Sequence, residues 1–140
     1  MQTSKLYTSS VVVLSLASLV ENLAYALPMS YFPNYVQLLG ASIAYIGFFT
    51  AAFTAANATL SQKFGGLSDR LGRKRFIQAG LLADVFLGTL TGIIWNWAPL
   101  LVIRLLNGVA TAAVAAPAEA CLVDQVPEDR RGEALGFYLT

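Results

Sequence analysis

A chain of 140 residues fits one domain. It is 56% hydrophobic and 12% charged, about half the roughly 25% charge of a typical soluble domain. So few ionised groups cannot cover a water-facing surface of this size, which argues against a soluble enzyme or nucleic-acid binder. Nine Lys/Arg against eight Asp/Glu leave a net charge of +1, too little for general phosphate binding. No His is present, so the commonest metal ligand and general base is missing. The single cysteine, Cys121, allows no intrachain disulfide and no cysteine-based metal site. The composition predicts no enzyme activity, no cofactor, no metal and no nucleic-acid partner.

The charges are unevenly spaced. Residues 22–62 hold none over 41 positions, residues 85–103 none over 19, and 14 uncharged residues separate Arg104 from Glu119. A membrane span needs roughly 20 mostly apolar residues, and the gaps are of that order. The fold class predicted is an all-α, multi-pass transmembrane helix bundle, because backbone groups in hydrocarbon must be paired within their own segment. The first span is expected over residues 7–33, with a bend at Pro28. Its apolar run outlasts the roughly 7–15 residues of a signal-peptide core and ends at no clean cleavage site, so it reads as a retained span. The second is expected over residues 43–60, rich in small residues such as Ala51, Ala52, Ala55, Ala56 and Ala58. The third covers 76–95, the fourth 99–123, and a fifth opens at 134 and runs to 140.

Orientation follows from the cations. Lys5, Lys63, Arg70, Arg73, Lys74, Arg75, Arg130 and Arg131 fall on one side of these spans. The two opposite loops, residues 34–42 and 95–99, carry none. Such an asymmetry predicts a cytoplasmic N-terminus, and the expected location is the plasma membrane. Trp95 and Trp97 mark the outer interface. Gly88 with Gly92, and Gly108 with Ala112, form small-xxx-small pairs that let helix backbones approach closely. The competing reading is that Gly and Ala are simply frequent in spans.

The segment after the second span, residues 65–75, reads Gly-Gly-Leu-Ser-Asp-Arg-Leu-Gly-Arg-Lys-Arg. Its glycines permit a sharp reversal, and its cations hold a tight basic turn at the cytoplasmic face. Asp69 is the odd residue, since a topology signal has no need of it. The segment resembles the signature loop of the major facilitator superfamily, G-x-L-x-D-R-x-G-R-K, with Gly65, Leu67, Asp69, Arg70, Gly72, Arg73 and Lys74 at its fixed positions. It stands between the second and third spans, as in that family. Arg104 with Gly108 is similar to the family's R-x-x-x-G pattern on the fourth helix. The link from Asp124 through Pro127 to Arg131 and Gly132 is similar to its connection between helices four and five, and Leu27 followed by Pro28 is found in several branches. The resemblance covers the whole chain, but family members have 12 helices in two six-helix halves that rock about a midplane site. It therefore implies part of an N-terminal half, with a missing C-terminal half as partner.

Glu21, Asp84 and Arg104 lie inside expected spans, where each ionisable group costs roughly 2.5–3.5 kcal/mol on insertion scales. Glu21 lies roughly 20 Å into the first span, and Arg104 enters from the outer side at a similar depth. The resemblance implies that both face the central cavity. Burial and a neighbouring cation act in opposite directions on a carboxylate's hold on its proton. Glu21 is thus a candidate proton carrier tuned by Arg104, against the alternative of a structural hydrogen bond to Asn22 or another helix. Asn107, one turn on from Arg104, is a candidate substrate contact or an interhelical hydrogen-bond partner. Asp84 is expected to be a paired structural carboxylate, bonded to Gln78, Thr89 or another helix. By resemblance, Asp69 latches the two halves on the inside, Arg73 pairs with Asp124, and Arg131 joins them. Glu119 is the rival partner for Arg73. The plain alternative is that these cations set topology only.

Three functions compete. The first is a secondary transporter of a small solute, coupled to protons, with a lean toward antiport and multidrug efflux. The second is a complete small four-helix exporter working as a dimer, which the signature segment and the fifth helix argue against. The third is a truncated product without transport activity. No nucleotide-binding glycine loop is present, so ATP-driven pumping is not indicated.

Overall fold

The computed structural model describes residues 9–139; the side chains at positions 9–11, 14, 17, 21, 24, 25, 27, 28, 137 and 139 lie outside that description. All regular structure among the described residues is helical. Helix α1 spans Ser9–Leu38, α2 Ala44–Leu71, α3 Arg73–Ile93 and α4 Ala98–Asp124. A 3-10 turn at Glu128–Arg130 leads into α5, Arg131–Leu139. α3 and α4 are long and apolar enough to cross a bilayer. At 21 and 27 residues they measure about 32 and 40 Å, against roughly 30 Å of hydrocarbon.

The helices overrun the expected spans at two ends. α1 continues past Pro33 to Leu38, into what charge spacing read as an outer loop. Val36, fully buried, lies in that last stretch. α2 continues through Gly65 and Gly66 to Leu71, so most of the expected basic turn is helix.

The chain forms two compact units, residues 31–117 and residues 1–30 with 118–140. Both boundaries fall within helices, in α1 near Pro28 and Pro33 and in α4 beside Pro117. The larger unit holds the end of α1, all of α2 and α3, and most of α4. Buried Leu87 on α3 and Ile103 and Ala110 on α4 cluster with Ala83, Leu90 and Ile94 around them. Two glycines bring the backbones together. A β-carbon at Gly80 would lie 2.6 Å from Val114 Cγ2 and 2.9 Å from the Ala110 carbonyl oxygen, so α3 rests directly on α4. One at Gly108 would overlap the Phe53 carbonyl oxygen and lie 3.0 Å from Ala56 Cβ, so α4 rests directly on α2. Fully buried Ala112 lies one turn further along. Gly88 and Gly92 have nothing within 4 Å of a built β-carbon. The α3 contact is made by Gly80, about 80° around the helix from Gly88.

In the smaller unit, α1 and α5 are joined by a hydrogen bond from the buried Ser18 hydroxyl to the Tyr138 carbonyl, 3.3 Å. Asn22 Nδ2 donates back to the Ser18 carbonyl at 3.0 Å. Leu122, Val126 and Ala134 are buried in this unit.

Candidate functional site

The signature segment is a helix end, a one-residue turn and a helix start. Ser68, fully buried, donates its hydroxyl to the Gly65 carbonyl at 2.7 Å. Gly72 N–H donates to the Ser68 carbonyl at 2.9 Å and closes α2. The Gly72 carbonyl then accepts from the N–H groups of Arg75 (3.1 Å) and Phe76 (3.4 Å) and opens α3. One residue thus satisfies orphan backbone groups of two helices. It does so at φ 99°, ψ 113°, a conformation that a side chain strongly disfavours. Phe64 and Phe76 meet across the turn at 5.7 Å between ring centres. The motif therefore needs glycine at position 72 for its backbone, whereas Gly65 and Gly66 sit inside a helix.

The turn brings two signature charges together. Arg73 Nε donates to Asp69 Oδ1 at 2.8 Å, one helical turn apart in sequence but on different helices. The Asp69 side chain is 53% exposed and that of Arg73 26%. An exposed pair of this kind contributes about 0.3–0.5 kcal/mol. Leu67, Arg70 and Lys74 are exposed around it. Asp124, at the end of α4, and Arg131, at the start of α5, belong to the smaller unit. There Arg131 pairs with Glu128 at 3.4 Å and Arg130 with Glu133 at 3.0 Å.

The second group of candidates lies higher in the chain. The Arg104 guanidinium carbon sits 3.8 Å from the centre of the Phe32 ring, a cation–π contact worth about 0.5–2 kcal/mol as water is excluded. Phe32 is buried and meets the fully buried Phe49 edge-on at 5.6 Å. α1, α2 and α4 thus place two aromatic rings and a cation side by side. Asn107, one turn from Arg104, buries its Oδ1 with no hydrogen-bond partner among the described residues. An unmet buried acceptor costs about 1–3 kcal/mol. Glu21 is a position on α1, and its side chain lies outside the described residues. Asn22 bonds within α1 to Ser18. Asp84 is half-buried on α3, and the Thr89 hydroxyl donates to the Val85 carbonyl. Sequence reasoning missed Phe32, Phe49 and Ser68. Phe32 and Phe49 carry no local signal, since their role depends on which helices meet. Ser68 fills a position the signature leaves free.

A helical bundle whose second and third helices are joined by this charged turn is the arrangement that the signature segment implied. The sequence profile of the Major Facilitator Superfamily matches residues 14–140, and the chain belongs to that family. It is 33% identical over 123 residues to the multi-drug resistance efflux pump PmrA of Streptococcus pneumoniae, covering 82% of this chain and 30% of that protein. It is 30% identical over 136 residues to the multidrug resistance protein MdtG of Escherichia coli, covering 94% of this chain and 33% of that protein. An uncharacterized transporter of Buchnera aphidicola is 33% identical over 92 residues, 64% of this chain and 22% of that protein. The chain thus spans a third or less of the length of these curated relatives. No solved structure gives a significant match. The family and these relatives support membrane location and solute transport in general, and point to a transporter rather than an enzyme.

Proposed function

We propose that these residues form part of the N-terminal six-helix half of a proton-coupled multidrug antiporter in the plasma membrane, with its N-terminus in the cytoplasm. The turn at Gly72 then faces the cytoplasm and works as the gate. Asp69 exchanges its Arg73 contact for a helix N-terminus of the second half, where the partial positive charge receives a carboxylate. Arg73 pairs with Asp124, and Arg131 completes the network. Closing the inside by contacts this exposed lets the gate reopen at small cost. The observation that carries the reading is the Asp69–Arg73 pair across Gly72, which sets the signature charges on a turn and leaves them accessible.

In the same reading Arg104, Asn107 and Glu21 serve the substrate path. Arg104 on Phe32, beside Phe49, gives an apolar surface with a fixed cation, and the Asn107 amide oxygen offers an acceptor to a substrate donor. Glu21 takes up and releases the coupling proton. The test is drug efflux driven by an imposed proton gradient in vesicles bearing the complete transporter. Glu21→Gln is expected to abolish proton-driven efflux while leaving substrate binding within about fivefold, a difference of roughly 1 kcal/mol. Unchanged proton-driven efflux in that variant removes Glu21 from the mechanism.

A further inference from the structure

Beside the turn, outside the charges assigned to the gate, an open groove of about 730 Å³ runs between α3 and α4. Phe76, Ala79, Ala83 and Phe86 form its α3 wall, and Leu106 and Val109 lie on the α4 side. The close approach at Gly80 gives it a floor. Arg75 is the only charged residue lining it and stands at the end nearest the turn. The Arg75 side chain makes no ion pair or hydrogen bond among the described residues. From Arg75 to Phe86 and Leu87 the groove follows α3 for about 18 Å, slightly more than one leaflet of a 30 Å hydrocarbon core.

We propose that this groove holds one anionic phospholipid, its acyl chain along the trough and its phosphate on Arg75. A guanidinium at one end of an otherwise apolar trough matches a molecule with one anionic head and one long apolar body. Basic pockets between helices at the cytoplasmic face suit such headgroups, each cation near the surface being worth about a fivefold gain in binding. The planar fork of arginine also matches phosphate oxygens. A helix is a poorer occupant. An apolar membrane helix laid there would match the apolar walls but supply no anion for Arg75, the charged residue of the lining. The choice of the anionic leaflet rests on the cytoplasmic orientation proposed above; the site itself does not depend on transport.

The test is native mass spectrometry of the full chain released from detergent micelles, with phosphatidylglycerol and phosphatidylcholine of equal chain length as probes. The wild-type chain is expected to retain one phosphatidylglycerol about fivefold more than phosphatidylcholine. Arg75→Gln is expected to abolish that preference while leaving phosphatidylcholine unchanged. Ala79→Phe fills the trough and should reduce both lipids, with Val109→Trp as a second filling variant should the first lose helicity by circular dichroism. Lys63→Gln removes a cation outside the groove and should change neither. Preference surviving Arg75→Gln, an equal loss in Lys63→Gln, or lipid retention unaffected by both filling variants overturns the site. So does a wild-type chain with no bound lipid, the outcome expected if protein covers the groove. Because lipid retention is read without a substrate or a proton gradient, lipid binding with no proton-driven efflux by the complete transporter keeps this site and rejects the transport reading, and efflux without lipid retention does the reverse.

Discussion

The two ends of α3 are built on different principles. At its start a single glycine joins two helices, Asp69, Arg70 and Lys74 are exposed, and an ion pair spans the turn from Asp69 to Arg73. At its end, about 32 Å away, the Tyr35 hydroxyl donates to the carbonyls of Thr91 (2.7 Å) and Ile94 (3.2 Å). Thr91 lies in the last turn of α3 and Ile94 is its C-cap residue, where no intrahelical donor remains. Tyr45 stacks on Trp97 at 4.7 Å, and the Asn96 side chain accepts from Ala98 N–H as α4 begins. Aromatic rings and hydrogen bonds fasten this end, whereas the other is set by the backbone of Gly72 and carries exposed charges beside it. The transport reading proposed above uses that difference, as a joint that keeps its geometry while its charges change partners.

The comparison breaks most visibly at Gly72. With φ at 99°, Gly72→Ala is expected to cost about 1–3 kcal/mol, read as a fall in the thermal unfolding midpoint in detergent. Gly66→Ala, only six residues earlier but inside α2, is expected to leave the midpoint unchanged or raise it, since a built β-carbon there meets nothing within 4 Å and Ala is the better helix former by up to about 1 kcal/mol. Equal losses in both would mean that the segment is a flexible loop rather than two helices and a one-residue turn.

That contrast also shows what the sequence could reveal. Charge gaps located the apolar stretches, and the signature located the joint between α2 and α3. Neither located the helix end, because charge marks where a chain meets water and a helix stops where its backbone must change conformation. Seen in the sequence, Gly65, Gly66 and Gly72 are equivalent; only the one at positive φ ends α2. The Gly88 and Gly92 spacing is equally legible but marks a face that meets no neighbour among the described residues, since spacing fixes a stripe on a helix and not the neighbour it meets. The seating of Arg104 on Phe32 joins residues 72 positions apart, and no local pattern encodes it.

At the fastened end, Tyr35→Phe keeps the ring and removes the donor to two carbonyls. The expected loss is about 1–1.5 kcal/mol, the net worth of a hydrogen bond in a partly buried setting. Faster amide exchange at the end of α3 and the start of α4 should accompany it, with the turn at Gly72 unaffected. Exchange rising equally at both ends would show α3 to be one cooperative rod and erase the distinction between them.

The smallest effect on stability is expected at Asp69, and there it is most informative. Asp69→Asn removes an exposed pair worth about 0.3–0.5 kcal/mol, so the unfolding midpoint should barely move. If the carboxylate served only this turn, transport by the complete protein would fall by no more than about twofold, the same energy expressed as a rate. A gate works through a second partner, met in another conformation, where a charged hydrogen bond is worth about 1.5–3 kcal/mol and its loss lowers transport roughly 10- to 150-fold. The ratio of the two effects separates the readings: a large transport defect with an unchanged midpoint requires a partner for Asp69 other than Arg73, whereas small defects in both reduce the signature charges to a topology signal.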